Sequence, residues 1–356
     1  MNEHFIVNFE QVSLPEPTEK KVRGKDYVGY GEDNKYPEFL KKIYDDCADH
    51  QSIVDGMVSF TVGNGITSTN AKLQKFFEGV NSDETIDDLC RKIMLDYYIF
   101  GGFCLDVIPN MARELSQMRY VDFMTARVDE SEENIYISKD WGKWGAQALV
   151  YHNFKKGNID KRQMFYFKGH KTRGVYPVPL YNAALRSLYT AIEITKFHLN
   201  NISNGFQVNT IVNMNNGIPQ KEVREDIERD INAKFSGTSG SKLMVVFNES
   251  RDKGTEIQKL DADNFDEKFQ ALQKNAQQSI FTAWRVTSPA LFGIKMENTG
   301  FSKTEYFEAF EIFTKTVVKS QQDILISELT KLFEPYFGKG LGISINPFNI
   351  VDNGQV

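Results

Sequence analysis

Cysteine is scarce in this chain. Cys47, Cys90 and Cys104 are the only three among 356 residues, and no two of them make a Cys-x-x-Cys pair. That spacing excludes a disulfide framework and a cysteine-built zinc site as the organising device, and a reducing compartment is the expectation. His50, His152, His170 and His198 lie far apart, with no His-x-x-x-His or His-Glu-x-x-His pattern, so neither a metal site nor a cofactor is expected. Positive charge is not in excess: 42 Lys and Arg stand against 48 Asp and Glu, a net charge of −6. A domain that holds nucleic acid by bulk attraction shows a basic face, so that class is disfavoured, although an acidic protein can still surround DNA without gripping it. No apolar run reaches roughly 18 residues and the N-terminus lacks a basic-then-apolar leader, so no membrane partner is expected. Repeats and low-complexity tracts are missing too.

Catalytic signatures are equally thin. No serine sits in a nucleophile elbow, and the paired acids Asp45-Asp46, Asp87-Asp88 and Glu132-Glu133 fall where solvated helix faces and turns are expected. The glycines and lysine of 236–242 invite a phosphate-loop reading, but that loop follows a helix and opens a strand, the reverse of the required order. The acid-rich stretch 261–266 lacks the fifth-position ligand and sixth-position glycine of a calcium loop, and helix capping explains it better. No catalytic residue is assigned, and the chain is read as a non-enzyme.

What the sequence does carry is helical period. Two amphipathic patterns, 264–287 and 302–338, flank an irregular connector with Pro289, Gly293 and Gly300. Asn264 with Glu267 and Ser302 with Glu305 read as capping boxes, and Pro335 and Gly338 are expected to stop the second helix. That second helix would be on the order of 45 Å long. Earlier in the chain, an extended arm is expected up to about residue 25. Helices follow from Pro37 to Gly63-Asn64-Gly65, at 71–79 and at 83–101. The period then falls to two at Phe103, Leu105 and Val107, with further strand candidates at 118–124, 134–138, 148–152 and 163–168. Another amphipathic helix leads to Asn204-Gly205, and a small module of strand 207–214, helix 219–235 and strand 242–247 precedes residue 264. One strand-like segment, 342–350, remains at the end. The class is α+β with an antiparallel sheet.

Taken in order, several short words carry a resemblance. They are Tyr36-Pro37, Gly63-Asn64-Gly65, Gly101-Gly102-Phe103, Tyr176-Pro177-Val178-Pro179, Asn204-Gly205, the 237–242 loop, the run 280–289 with Leu291 and Gly293, and Phe301-Ser302. In this arrangement they resemble the portal proteins of tailed bacteriophages, the head-to-tail connectors, over nearly the whole chain. The resemblance implies a wing at 26–185 after the 1–25 arm, stem helices at 186–205 and 264–287, a clip at 206–263, a tunnel loop at 288–301, a long wing helix at 302–338 and a terminal strand in 339–356. Val286-Thr287-Ser288-Pro289 replaces the usual Val-Pro pairing, and the chain stops where relatives continue into a helical crown. That crown is either missing by nature or removed.

The implied function is a structural ring at a capsid vertex that forms the channel for DNA packaging and ejection. Its implied partners are eleven further copies, the terminase packaging ATPase, a neck or tail adaptor, the major capsid protein and double-stranded DNA in transit. Its place is the virion, with assembly in the host cytoplasm. Lys295, Glu297, Asn298 and Thr299 are the expected DNA-facing loop residues, where the glutamate cancels much of the lysine's field. Ile192, Leu199, Phe269 and Leu272 are the expected oligomer-forming stem residues, and Glu222, Glu225 and Arg229 the partner-binding clip residues. Two other readings compete: a soluble nucleic-acid or nucleotide-processing enzyme with dispersed acids, and another phage structural or scaffold protein.

Overall fold

The computed structural model describes residues 13–142, 147–169, 174–203, 211–214, 219–223, 225–227, 244–247, 265–294 and 303–348. It divides into two compact units, one of 1–188 with 278–356 and one of 189–277.

The larger unit is α+β, as its two hydrophobic periods require. Its helical layer contains α1 (Tyr36–Asp46), with Pro37 in the first turn where a missing N–H costs nothing, and α2 (Ala48–Val62). It continues with α3 (Ala71–Phe77), whose Asn70 side chain caps Lys72 and Leu73, and α4 (Ile86–Phe100). A reciprocal capping box between Thr85 and Asp88 opens α4, and Gly101 in the left-handed region closes it. The apolar faces of α1, α2 and α4 bury Leu40, Ile43, Ile53, Val54, Met57, Leu89 and Ile93.

Two three-stranded antiparallel sheets follow. In one, β4 (Gly102–Pro109) lies between β5 (Leu115–Val121) and β9 (Gln163–Lys168); in the other, β7 (Asn134–Ile137) lies between β6 (Ala126–Val128) and β8 (Leu149–His152). The glycine words of the sequence turn out to be sites of close backbone approach. Gly101 has φ 88°, and a Cβ there would sit 2.9 Å from the Val178 carbonyl oxygen, so Gly101 and Tyr176-Pro177-Val178-Pro179 are two sides of one contact. Tyr30 and Tyr176 stack at 4.1 Å over this segment, and Tyr30 donates to the Pro177 carbonyl at 2.6 Å.

The end of the chain returns to the helical layer. β12 (Ile343–Ile345) pairs antiparallel with β3 (Ile66–Ser68), and the N–H of Asn64 donates to the Asn346 carbonyl while the N–H of Asn346 donates to Gly65. Gly63 has φ 64°, and a Cβ on it would lie 2.3 Å from the Asn346 carbonyl oxygen. The terminal strand is shorter than the expected 342–350, and its last two positions lie outside the described residues.

Two expectations need correction. The arm to residue 25 is not free at its described end: β1 (Glu19–Lys21) forms a hairpin with β2 (Val28–Tyr30), and the Glu19 carboxylate accepts the backbone N–H groups of Val175 and Tyr176 at 3.0 Å each. Pro15 and Pro17 precede this pairing, which is why their punctuation obscured it. Pro335 does not stop the long helix. The segment α7 (Lys303–Phe313) passes through one π-helical turn (Thr314–Val318) into α8 (Lys319–Phe337), and only Gly338, at φ 83°, ends it. The proline forfeits one backbone bond. Phe337 compensates by packing its ring against Phe76 and Phe333.

The smaller unit contains most of α5 (Leu185–Ser203), most of α6 (Phe265–Trp284), and between them β10 (Ile211–Met214) parallel to β11 (Met244–Phe247). Parallel pairing of consecutive strands requires a crossover, and helical residues at 221–223 and 225–227 lie in that connection.

Candidate functional site

The connector between the two C-terminal helices is built from its anchor outwards. α6 ends at Trp284, a buried ring that stacks on Tyr181 at 5.5 Å, meets Tyr98 edge-on at 5.9 Å and donates its indole N–H to Nδ1 of His50 at 3.2 Å. Burial holds His50 neutral, its pKa lowered to about 3. Arg285 then turns the backbone with φ 54°, and Thr287 donates its hydroxyl to the Ala309 carbonyl at 2.9 Å.

Next comes a 3-10 turn, Pro289–Phe292, that buries Leu291 and Phe292. Phe292 fills a notch in α2: a Cβ on Gly56 would lie 2.5 Å from its ring. The Ser52 hydroxyl donates to the Phe292 carbonyl at 2.6 Å, and Phe60 and Phe313 close on the ring edge-on. Leu291 and Phe292 thus anchor the first half of the connector in the core, while Gly293 beyond them is exposed. Sequence reading missed this, although an isolated glycine inside the helical pattern of α2 was a visible signal for a close neighbour. Lys295, Glu297, Asn298 and Thr299 lie outside the described residues, as do Asn264 and Ser302 of the expected capping boxes.

In the smaller unit the four expected stem residues separate. Ile192 is already buried within this single chain, at 4% exposure. Phe269 stacks on Phe197 at 4.7 Å with the rings within 15° of parallel, and the His198 imidazole meets it edge-on, which ties α5 to α6. Leu199 and Leu272 are 62% and 50% exposed, and Phe197 is 40% exposed. Each of these is a large apolar side chain left open to solvent on its helix. Farther along, Glu222 and Glu225 are exposed on the helical segment, where Lys221 sits 3.9 Å from Glu225 and Val223 is open to solvent. Arg229, together with the 237–242 loop, lies outside the described residues.

Among the described residues no group of three or more His, Cys, Asp and Glu is arranged to hold a metal ion, and no helix is long and apolar enough to cross a membrane. The buried ionisable groups have structural partners. Arg127, fully buried, donates to Asn34, Met124 and Ala126 and lies over the rings of Tyr30 and Trp141. Asp96 accepts from the Tyr120 hydroxyl and the Phe123 N–H, and burial raises its pKa well above the usual carboxylate range.

Comparison with known proteins adds three findings. The family model described as phage portal protein matches residues 56–351. A chain in the virion of a native gene transfer agent particle superposes with a TM-score of 0.59 at 14% identity, covering 87% of this chain and 83% of that one. Chains in the neck of the empty particle, computed with C6 symmetry, and in the neck of the native particle, computed with C12 symmetry, give TM-scores of 0.58 and 0.56 at 13% identity, each covering 87% of this chain and 84% of the other. No protein of curated function matches.

Proposed function

This chain belongs to the phage portal protein family, and from that premise we propose that it is one subunit of a ring at the neck of a phage-like particle, twelve-fold like the C12 neck it resembles in fold. The family is a structural one, and the role follows from shape and assembly rather than from a reaction. The observation that carries the reading is the exposure of large apolar side chains on α5 and α6, where Phe197, Leu199 and Leu272 stay open in a single chain. A heterologous, head-to-tail contact repeated around an axis seals such side chains on every copy at once. The arrangement of wing, stem, clip and tunnel loop belongs to this proposal, with α5 and α6 as the stem.

Within the ring, the 288–301 connector is the inward-facing loop and DNA is the passing cargo. One Lys295 per subunit makes a ring of positive charge and Glu297 offsets it, so contact with phosphate is weak and salt-sensitive. The helical segment with Glu222 and Glu225 is the surface offered to the packaging ATPase and then to the adaptor. Negative-stain imaging of the purified protein tests the reading directly: annular particles with an open axis are expected, and a monodisperse monomer at every concentration sinks it. In a packaging assay, Lys295→Ala should change DNA packaging or retention, and an unchanged yield removes the loop's role while leaving the ring.

A further inference from the structure

We propose that Arg285 contacts the phosphates of the duplex that passes through the ring. The inference rests on the ring reading above and adds to it a cation held on a capped helix end, at the foot of the connector. α6 closes in a Schellman arrangement: the Val286 N–H donates to the Phe281 carbonyl at 3.0 Å and the Arg285 N–H to the Thr282 carbonyl at 3.1 Å. The first residue past the helix then takes a positive φ, and glycine fills that seat at least cost. Elsewhere the chain obeys this. Gly63 follows α2, Gly101 follows α4, Gly293 follows the 3-10 turn and Gly338 follows α8, all at positive φ. After α6 the seat is held by Arg285 at φ 54°. A long side chain kept where the backbone disfavours it points to work done by that side chain.

The guanidinium is available for such work. Arg127 and Arg162 are engaged within the chain, Arg162 by a forked pair of hydrogen bonds to Asp106, whereas Arg285 is exposed and its guanidinium has no hydrogen bond or ion pair among the described residues. No Asp or Glu occurs from 268 through 296, so the segment supplies no carboxylate to neutralise it. Gln278 and Thr282, four residues apart on α6, and Thr287 beyond the turn are exposed and uncharged, while Ile280, Phe281 and Trp284 are buried. These exposed neighbours are amides and hydroxyls. They lack the dry apolar rim that an ion pair between copies needs, and they suit an anion that must slide past. Guanidinium is always charged, and its planar fork matches phosphate oxygens. Repeated once per subunit, Arg285 makes a circle of positive charge whose backbone is fixed by the cap.

The test uses the full chain, with annular particles checked by negative stain and a fluorescent duplex of about 30 base pairs titrated in at several salt concentrations, read by anisotropy. Arg285→Gly should weaken binding about tenfold and flatten the fall of log K with log[salt], whereas Arg285→Lys should keep that slope because it keeps the charge. Glycine also suits the backbone, so Arg285→Gly should raise the Tm by about 1–3 °C while it loses DNA. A lowered Tm would make Arg285 a structural cap and overturn the proposal. Rings of Arg285→Gly that bind the duplex as tightly as the parent overturn the phosphate contact and leave the ring intact. Loss of rings in Arg285→Gly, with rings in the parent, overturns it too, by assigning the guanidinium to a carboxylate of the neighbouring copy. A parent protein without annular particles overturns the ring reading itself.

Discussion

The two units treat the same kind of side chain differently. In the larger one, aromatic rings close on one another within the chain: Phe333 is fully buried against Phe76, Phe77 and Phe337, and Trp284 lies against His50, Tyr98 and Tyr181. In the smaller one, Phe197 and Phe269 find each other, but Leu199 and Leu272 stay exposed to solvent among the described residues. The rings of Phe333 and Trp284 are covered within the larger unit, whereas Leu199 and Leu272 of the smaller unit stay open, and substitutions should separate the two.

The largest effect is expected at Phe333. Phe333→Ala removes a fully buried ring and should lower unfolding stability by about 3–5 kcal/mol in chemical denaturation. A loss below about 1 kcal/mol would mean that the larger unit is not the rigid partner. The next effect is titration of His50. Its pKa in the fold is lowered to about 3 by burial, whereas the unfolded side chain titrates near about 6.5, so the unfolded state takes up a proton that the fold refuses. The stability due to the neutral ring is complete above the unfolded pKa and is lost as pH falls from there towards about 3. Between pH 6 and 4 the loss should approach about 1.4 kcal/mol per pH unit. His50→Phe should flatten that slope, and an unaltered slope would place the acid sensitivity elsewhere. The smallest effect on folding is expected at Leu272. Leu272→Asp should change the stability of the monomer by no more than about 0.5 kcal/mol, because the side chain is half exposed, yet it should abolish rings in mass photometry. Substantial monomer unfolding, or intact rings, would break the contrast between the units.

Much of this division was legible in the sequence, for a physical reason. Long amphipathic periods survive translation into structure, so α4, α5 and α6 stand where the spacing of apolar residues puts them, and Gly63 and Gly101 mark turns because few other residues tolerate those backbone angles. Three-residue strands such as β1, β3 and β6 are too short to show a period of two, and their partners are distant in sequence. Ile192 fits the helical stripe as well as Leu199 does, and periodicity alone cannot say which of two apolar positions the chain covers by itself. Of the candidate site, the connector was readable as an interruption between helices. That its first half is nailed into α2 through Phe292 and Gly56 depends on a tertiary contact across most of the chain, which no local pattern encodes.

The pairing of β12 with β3 joins Ile66 to Ile345, 279 residues later in the chain. At about 5–20 residues per second, the nascent helices around β3 wait many seconds for that partner. A prematurely terminated polypeptide therefore cannot fasten its own larger unit.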